Sequence, residues 1–151
     1  ALIVKQAHDL GWKGPFMGSD AWGSAELMQL CGNDCVGHYF STHYAAAGAK
    51  GATKEFIDRY SAKYGYTPDD VAALTWDATN LVLKAIQDVG KVDKNVKKQR
   101  KAIRDAMAAI PEFPGITGNM KFNEEGDPIK CAVVVRISEK GEFVFTEQVC
   151  P

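Results

Sequence analysis

The sequence has no long hydrophobic run and no excess of either charge. Its fully apolar stretches, such as residues 132–135, are only a few residues long, whereas about 20 apolar residues are needed to cross a bilayer. Eighteen basic and nineteen acidic side chains leave a formal net charge of −1, so no overall field draws the chain to nucleic acid or to anionic lipid. The composition therefore predicts a protein that works in water and excludes nucleic acid as its main partner.

Motifs for catalysis and nucleotide binding are also missing. Residues 18–23 (GSDAWG) place their serine outside the G-x-S-x-G order, and residues 48–54 (GAKGATK) fail the P-loop order. There is no Rossmann glycine fingerprint, and no local pattern pairs a nucleophile with a base. We predict that the chain is not an enzyme and uses no cofactor.

What the sequence does have is the composition of an ordinary folded chain. Of its 151 residues, 46% are apolar and 25% are charged, which is close to the globular average. This length predicts one domain able to bury a core. Residues 1–10 complicate that prediction, because Ile3, Ala7 and Leu10 already show helical spacing and Gly11 follows as a stop. A chain that starts inside a helix is expected to be a piece of a longer one.

Helices and strands alternate in the first quarter of the chain. After the opening helix the pattern predicts a strand near Pro15-Phe16-Met17, a helix over 24–30 and a strand over 36–42. This alternation is typical of a parallel sheet covered by helices. The small residues 45–51 (AAAGAKG) then predict a linker or hinge.

The middle of the chain is predicted to be helical and its tail to be antiparallel β structure. Helical spacing covers about 51–65, 67–90 and 93–110, with Thr67 as the N-cap and Pro68 in the first turn of the second helix. Over 116–122 every second residue belongs to one predicted strand face, which is the two-residue repeat of a β-strand. A hairpin is then predicted from strands over 129–137 and 142–150 around Lys140-Gly141.

Four cysteines allow three pairings, and the hairpin favours one of them. Partners across a two-residue turn at Lys140-Gly141 have residue numbers that sum to 281, as do those of Cys131 and Cys150. A three-residue loop that ends at Gly141 would shift this register by one. Cys31 and Cys35 flank a tight turn and could close a small ring. Two disulfides, Cys31–Cys35 and Cys131–Cys150, would place the chain in an oxidising compartment.

Zinc binding is the alternative for the first cysteine pair. Cys31, Cys35, His38 and His43 form a Cys-x3-Cys-x2-His-x4-His series, which matches zinc-ligand spacing poorly. His38 and His43 would point to opposite faces of a continuous strand, so they converge only if the strand ends between them. We therefore predict disulfides and no metal, with unpaired thiols as a further alternative.

Two polar features could contact a partner. Asp20 lies in a glycine-rich loop after a predicted strand and beside Trp22, where a carboxylate and an indole could hold an ammonium group. The alternative is a turn or cap aspartate. Residues 91–101 (KVDKNVKKQRK) carry six positive charges and one negative charge, which is typical of a solvated helix face; the alternative is a patch for an anion or a membrane.

Four stretches of the chain resemble leucine/isoleucine/valine-type periplasmic binding proteins, the substrate-binding subunits of branched-chain amino-acid ABC importers. They occur in the family's order and cover nearly all of the chain: GWKGPFMGSDAW, LCGNDCVGHYFST, FIDRYSAKYGYTPDDVAALTWDATNLVLKAI and GITGNMKFNEEGDPIKCAVVVRI. The resemblance implies a type I fold of two α/β lobes, each a three-layer sandwich, that hinge shut on a ligand. It further implies that residues 1–45 and 113–151 belong to one lobe, residues 46–112 to the other, and that the amino-terminal half of the family is missing.

The same resemblance implies the site and the function. Asp20 matches the acidic residue that binds the ligand's ammonium group, although the leucine-type binders have a glutamate there, and Ser19 and Trp22 would shape the pocket. Val71 stands at the position of an aromatic residue of the family's pocket, so this chain departs from the family pattern there. Trp76-Asp77-Ala78 matches a motif with a structural role. The chain is expected to be periplasmic or extracellular and to deliver an amino acid or small carboxylate to a membrane permease. A sensory receptor domain of the same fold is the alternative, and a dimer is expected through surfaces left open by the missing half.

Overall fold

A computed structural model describes residues 1–91 and 93–151, which form five α-helices and seven strands. Two short 3-10 turns, Asp20–Trp22 and Gly32–Cys35, lie on either side of the second helix. In chain order the elements are α1 (Leu2–Asp9), β1 (Met17–Gly18), α2 (Ala25–Cys31), β2 (Tyr39–Thr42), α3 (Gly51–Tyr64), α4 (Asp70–Val89), α5 (Val96–Ala108), β3 (Phe113–Gly115), β4 (Gly118–Phe122), β5 (Pro128–Ile129), β6 (Ala132–Ile137) and β7 (Phe143–Val149).

The larger sheet has four strands in the order β1-β2-β6-β7. β1 is parallel to β2, whereas β6 is antiparallel to both β2 and β7. The sheet is therefore mixed rather than parallel, because its last two strands enter as a hairpin. Alternate side chains of β2 and β6 are buried beneath α1 and α2, and the main members of this core are Val4, Leu27, Phe40, Val133, Val135 and Ile137.

The helical middle of the chain has a separate, smaller core. α4 and α5 pack on a three-stranded antiparallel sheet in the order β3-β4-β5, with Leu81, Ile110, Phe113 and Met120 buried between them. Tyr44, Phe56 and Ala73 form a further cluster where α3 meets α4. The chain re-enters the larger sheet at Ala132, after β3, β4 and β5 have formed the smaller sheet.

A buried carboxylate holds the turn between β3 and β4 against α4. Asp77 accepts hydrogen bonds from the backbone N–H groups of Ile116 (2.8 Å) and Thr117 (2.9 Å) and from the Thr117 hydroxyl (2.7 Å). A Cβ on Gly115 would lie 2.5 Å from the Asp77 carboxylate, so only glycine allows this close approach. Lys130 donates to the Thr117 hydroxyl oxygen (2.6 Å), and burial lowers the pKa of this lysine.

Both predicted disulfides are present, Cys31–Cys35 and Cys131–Cys150. The hairpin that carries Cys131–Cys150 has a three-residue turn, which was the alternative to the two-residue turn at Lys140-Gly141. Ile137 pairs with Phe143, while Ala132 pairs with Val149, because a β-bulge between Val134 and Val135 shifts the register by one. The extra residue of β7 restores the partner sum of 281 near the cysteines, and the Cα atoms of Cys131 and Cys150 lie 4.1 Å apart.

Three predicted boundaries were wrong. α4 is capped by Asp69, whose carboxylate accepts from the Ala72 N–H (2.8 Å), and not by Thr67; the Pro68 carbonyl instead accepts the Tyr44 hydroxyl. β2 begins at Tyr39 rather than at residue 36, because residues 32–35 form the 3-10 turn that the first disulfide closes. The predicted strand over 129–137 is divided, since Ile129 pairs with Lys121 of β4.

The alternatives of zinc and of unpaired thiols are wrong, because Cys31 and Cys35 are bonded to each other. Across the part of the chain that the structure describes, no three His, Cys, Asp or Glu side chains lie close enough to hold a metal ion. Within the same residues, no helix combines the length and apolar character that spanning a membrane requires.

Candidate ligand-binding site

The loop that follows β1 carries the three residues predicted to contact a ligand. Met17 and Gly18 pair in parallel with Tyr39 and Phe40, so the carboxyl ends of β1 and β2 lie side by side. Ser19 is extended and exposed, and Asp20 begins the 3-10 turn. The Asp20 side chain is 59% exposed. Its carboxylate is thus presented to solvent at an edge of the sheet where α/β proteins bind ligands.

His43 lies beside this carboxylate because it directly follows β2. Its Nε2 atom is 3.8 Å from Oδ2 of Asp20. The strand ends at Thr42, between the two histidines of the sequence series, and His38 is buried while His43 is partly exposed. The end of β2 thus brings an imidazole to within 3.8 Å of the Asp20 carboxylate.

Asp70, the first residue of α4, brings a second carboxylate to the same place. The residue is only 7% exposed, and its carboxylate accepts a hydrogen bond from the Thr42 hydroxyl (3.3 Å). Burial raises the pKa of Asp70, while the Thr42 hydrogen bond and the nearby His43 oppose that rise. Loss of water around a carboxylate disfavours its charged form, so a cation is favoured nearby.

Gly23 is the point at which the Asp20 loop touches α4. A Cβ at this position would lie 3.1 Å from the Asp20 carbonyl oxygen and 3.3 Å from Oδ1 of Asp70. Both distances are tighter than an ordinary van der Waals contact. Because residue 23 has no side chain, the loop after β1 and the amino-terminal end of α4 come together without a gap.

The other two predicted ligand residues are placed differently. The indole of Trp22 lies against Gly18, packs near Phe40 with ring centroids 6.5 Å apart, and borders the core of the larger sheet. Trp22 therefore packs the loop after β1 against the core of the larger sheet. Val71 follows Asp70 in the first turn of α4 and is 64% exposed, so a larger side chain could be accommodated there.

A cleft of about 630 Å³ opens beside these residues. Gly23, Thr42, Tyr44 and Asp70 line it, together with apolar side chains of the larger sheet such as Phe40, Val135 and Phe143. Ser19, Asp20, Trp22 and Val71 lie outside this lining. Burial, and the negative charge of Asp69 and Asp70, raise the pKa of Tyr44 well above its usual range, so its hydroxyl remains the donor to Pro68.

Sequence reasoning missed Thr42, His43 and Asp70 as neighbours of Asp20. The sequence does carry signals: Asp70 is an acidic residue near the predicted start of a helix, and His43 ends the Cys-x3-Cys-x2-His-x4-His series. Neither signal says that the start of α4 packs against the loop after β1. That contact joins residues about 50 positions apart and depends on Gly23.

The helix-covered mixed sheet of this chain matches the fold of type I periplasmic binding proteins. The model of the periplasmic binding protein family matches residues 1–142. The chain therefore belongs to this family, whose members are non-enzymatic solute-binding proteins of the periplasm.

Individual relatives agree with this assignment. The chain is 28% identical over 127 residues to a leucine-, isoleucine-, valine-, threonine- and alanine-binding protein of Pseudomonas aeruginosa, covering 83% of this chain and 32% of that protein. The crystal structure of the leucine-binding protein LivK of Thermotoga maritima superposes with a TM-score of 0.87 at 32% identity, covering 99% of this chain and 41% of that one.

A second structure, the substrate-binding protein LivJ of Streptococcus pneumoniae in complex with isoleucine, gives a TM-score of 0.81 at 28% identity. It covers 99% of this chain and 41% of that one. The chain thus spans about a third of the length of the curated relatives it matches, such as the 32% of the Pseudomonas protein. These comparisons establish the fold and the family over nearly the whole chain.

Proposed function

We propose that this chain forms part of an extracytoplasmic solute-binding protein that takes up an amino acid, or a similar small molecule with an ammonium group, for an ABC importer. The observation that carries the proposal is the Asp20 carboxylate, which is exposed after the end of β1 and lies beside His43. Relatives that bind branched-chain amino acids match the chain over this region. A carboxylate is the group that best complements an ammonium ion.

In this proposal the residues near Asp20 have different tasks. Asp20 binds the ammonium group and Ser19 supplies a neighbouring hydroxyl. Trp22 fixes the loop by packing on Gly18 and Phe40. Val71 leaves space where the family resemblance implies an aromatic ring, so the ligand's side chain has no stacking surface there, and Val71→Tyr is expected to tighten binding of an apolar amino acid.

The lobes are also part of the proposal. Residues 1–45 and 132–149 share the core of the larger sheet, while residues 51–122 supply the two smaller cores. We assign these groups to two lobes that close on the ligand, with the chain crossing at 45–50 and again near Lys130. Closure of this kind presents a new surface to a permease. The expected dimer stays a prediction.

The ammonium contact can be tested by NMR titration of the 151-residue chain with L-leucine and with 4-methylpentanoate, which is leucine without its amino group. NMR suits a chain that spans a third of its relatives, because it detects weak binding. We expect leucine to shift the amides of residues 18–23 and 70–72 and 4-methylpentanoate to leave them unchanged.

The matched variants are Asp20→Asn and Asp9→Asn, which remove the same charge from the loop and from exposed α1. Loss of a hydrogen bond to a charged group costs enough to weaken binding at least about tenfold. Only Asp20→Asn should show that loss. Equal leucine affinity in both variants would remove Asp20 from the site, and a response to neither compound would contradict amino-acid binding by this chain.

A further inference from the structure

The basic charges of the chain are concentrated in one segment. Residues 91–104 contain seven of the eighteen Lys and Arg residues and only one of the nineteen acidic residues. This segment therefore carries a net charge of +6 and the remainder of the chain a net charge of −7. The overall charge of −1 hides a strong separation of charge within the molecule.

α5 arranges part of this charge as a stripe. Lys97, Arg100, Lys101 and Arg104 are spaced at i, i+3, i+4 and i+7, so they share one side of the helix. All four are exposed. The half-buried residues Ala102, Ile103 and Ala106 lie on the other side of the helix, and Met107 borders the core cluster with Leu81 of α4. The basic side of α5 therefore faces solvent, while its other side is half-buried.

Acidic neighbours neutralise only some of these cations. Asp105 pairs with Lys101 (2.6 Å) and with Arg104, and Asp93 lies 3.9 Å from Lys98. Within residues 1–91 and 93–151, the side chains of Lys94, Lys97 and Arg100 form no ion pair. Three unneutralised cations therefore lie at the start and first turns of the helix.

We propose that this basic side of α5 docks electrostatically on anionic phospholipid headgroups. Because α5 is a convex, exposed helix, a planar array of mobile anions can neutralise all of its cations without a complementary shape, whereas an acidic protein would need positioned partners. Charges of the acidic remainder that lie beyond one Debye length, about 8 Å in physiological salt, are largely screened. Glu124 and Glu125 share a cleft with Ala108 at the carboxyl end of α5, so docking uses the amino-terminal turns of the helix, where Lys94, Lys97 and Arg100 lie.

This mode of docking is superficial. Met107 borders the core cluster with α4, and Val96 is the one large apolar side chain of α5 that is more than half exposed, so the helix has no continuous apolar face to insert between acyl chains. Binding then depends on charge alone and should weaken with added salt. The consequence is a protein loosely held near a bilayer, oriented by one helix. The proposal does not depend on which small molecule the site near Asp20 takes.

The test is flotation of the 151-residue chain with vesicles of phosphatidylcholine alone and of equal molar parts of phosphatidylcholine and phosphatidylglycerol. The variant Lys94→Gln/Lys97→Gln/Arg100→Gln removes the three unpaired cations at the start and in the first turns of α5. Its matched control, Lys5→Gln/Lys13→Gln/Lys50→Gln, removes the same charge from exposed positions elsewhere. All substituted residues are exposed, and circular dichroism checks that both variants stay folded.

We expect binding to the phosphatidylglycerol vesicles only, strongest at low salt. Each lysine or arginine near an anionic surface changes affinity about fivefold, so the first variant should bind roughly a hundredfold more weakly and the control should stay within about twofold of the parent. Equal losses in both variants would overturn the proposal, as would equal binding to both vesicles. Binding to polyglutamate without binding to vesicles would overturn it in favour of an acidic protein.

Discussion

The two halves of this molecule are held together by different means. The larger sheet and its helices share a core of eight buried residues that includes the Cys31–Cys35 disulfide. The helical half has two smaller apolar clusters, of four and three buried residues, and a buried carboxylate that fixes its β-turn. The comparison shows that apolar burial specifies the first half, whereas the polar anchor at Asp77 completes the second.

The substitution with the largest expected effect on stability is Phe40→Ala in the larger sheet. Phe40 is 1% exposed and packs edge-on against Phe143 with ring centroids 4.9 Å apart. Truncation of a buried phenylalanine leaves a cavity, and we expect the free energy of unfolding to fall by about 3–5 kcal/mol. Urea unfolding measures the loss, with the half-exposed Phe145→Ala as control. A loss below about 1 kcal/mol would show that the sheet core is not the main source of stability.

The second test is Asp77→Asn in the helical half. The amide keeps one acceptor oxygen but cannot accept all three hydrogen bonds from Ile116 and Thr117, and a buried donor left unpaired is costly. We expect a loss of about 2–3 kcal/mol in urea unfolding. Asp88→Asn breaks only the exposed pair with Lys84 and should cost less than about 0.5 kcal/mol. If the two variants lose the same stability, the polar anchor is dispensable.

The third test concerns the link between the halves. The buried Tyr44 hydroxyl donates to the Pro68 carbonyl just before α4, and Tyr44→Phe removes that bond without changing the ring. The expected loss is about 1 kcal/mol. Tyr64→Phe, on an exposed ring of α3, should leave stability unchanged. Amide hydrogen exchange at residues 69–73 should accelerate in the first variant alone; unchanged exchange would rule out Tyr44 as the link.

The smallest expected effect is a pH dependence that arises in the larger sheet. His38 is buried, accepts a hydrogen bond from the Phe16 N–H (3.4 Å), and faces His8, which lies 3.2 Å from Asp34. Burial, and repulsion from His8, lower the pKa of His38. The unfolded chain then binds protons more readily, so His38 should reduce stability as the pH falls below about 6.5.

His38→Gln should flatten this part of the profile. The raised pKa of Asp70 acts in the opposite direction: its carboxylate costs stability once it ionises, so that cost disappears on further acidification. Urea midpoints measured between neutral pH and pH ~5 separate the two groups. A profile that His38→Gln leaves unchanged would contradict the assignment.

Much of the fold could be predicted from the sequence because its signals are local. Helical spacing predicted α3, α4 and α5, and capping glycines such as Gly65 and Gly90 adopt the expected left-handed conformation. Local signals failed where a distant contact decides. α4 starts three residues after Thr67 because Tyr44 holds Pro68, and Ile129 leaves the predicted hairpin because it pairs with β4.

The candidate site was predictable only in part for the same reason. Asp20 follows a strand, and the sequence shows this directly. The approach of Asp70 to its loop depends on the absence of a side chain at Gly23, and the approach of His43 depends on where β2 ends. The packing of the Trp22 ring near Phe40 likewise depends on a residue 18 positions away in the sequence, and the predicted contact of Trp22 with a ligand stays a prediction.

The bulge in β7 has a consequence for how this hairpin can change in length. The three-residue turn and the extra residue, Thr146, each displace the register by one, and the two displacements cancel at Cys131 and Cys150. Deleting one residue from either place alone would put the two cysteines on opposite faces. Deleting one from both would return them to alignment. The turn and the bulge are therefore coupled: a one-residue deletion in one of them keeps the disulfide only if one residue is also deleted from the other.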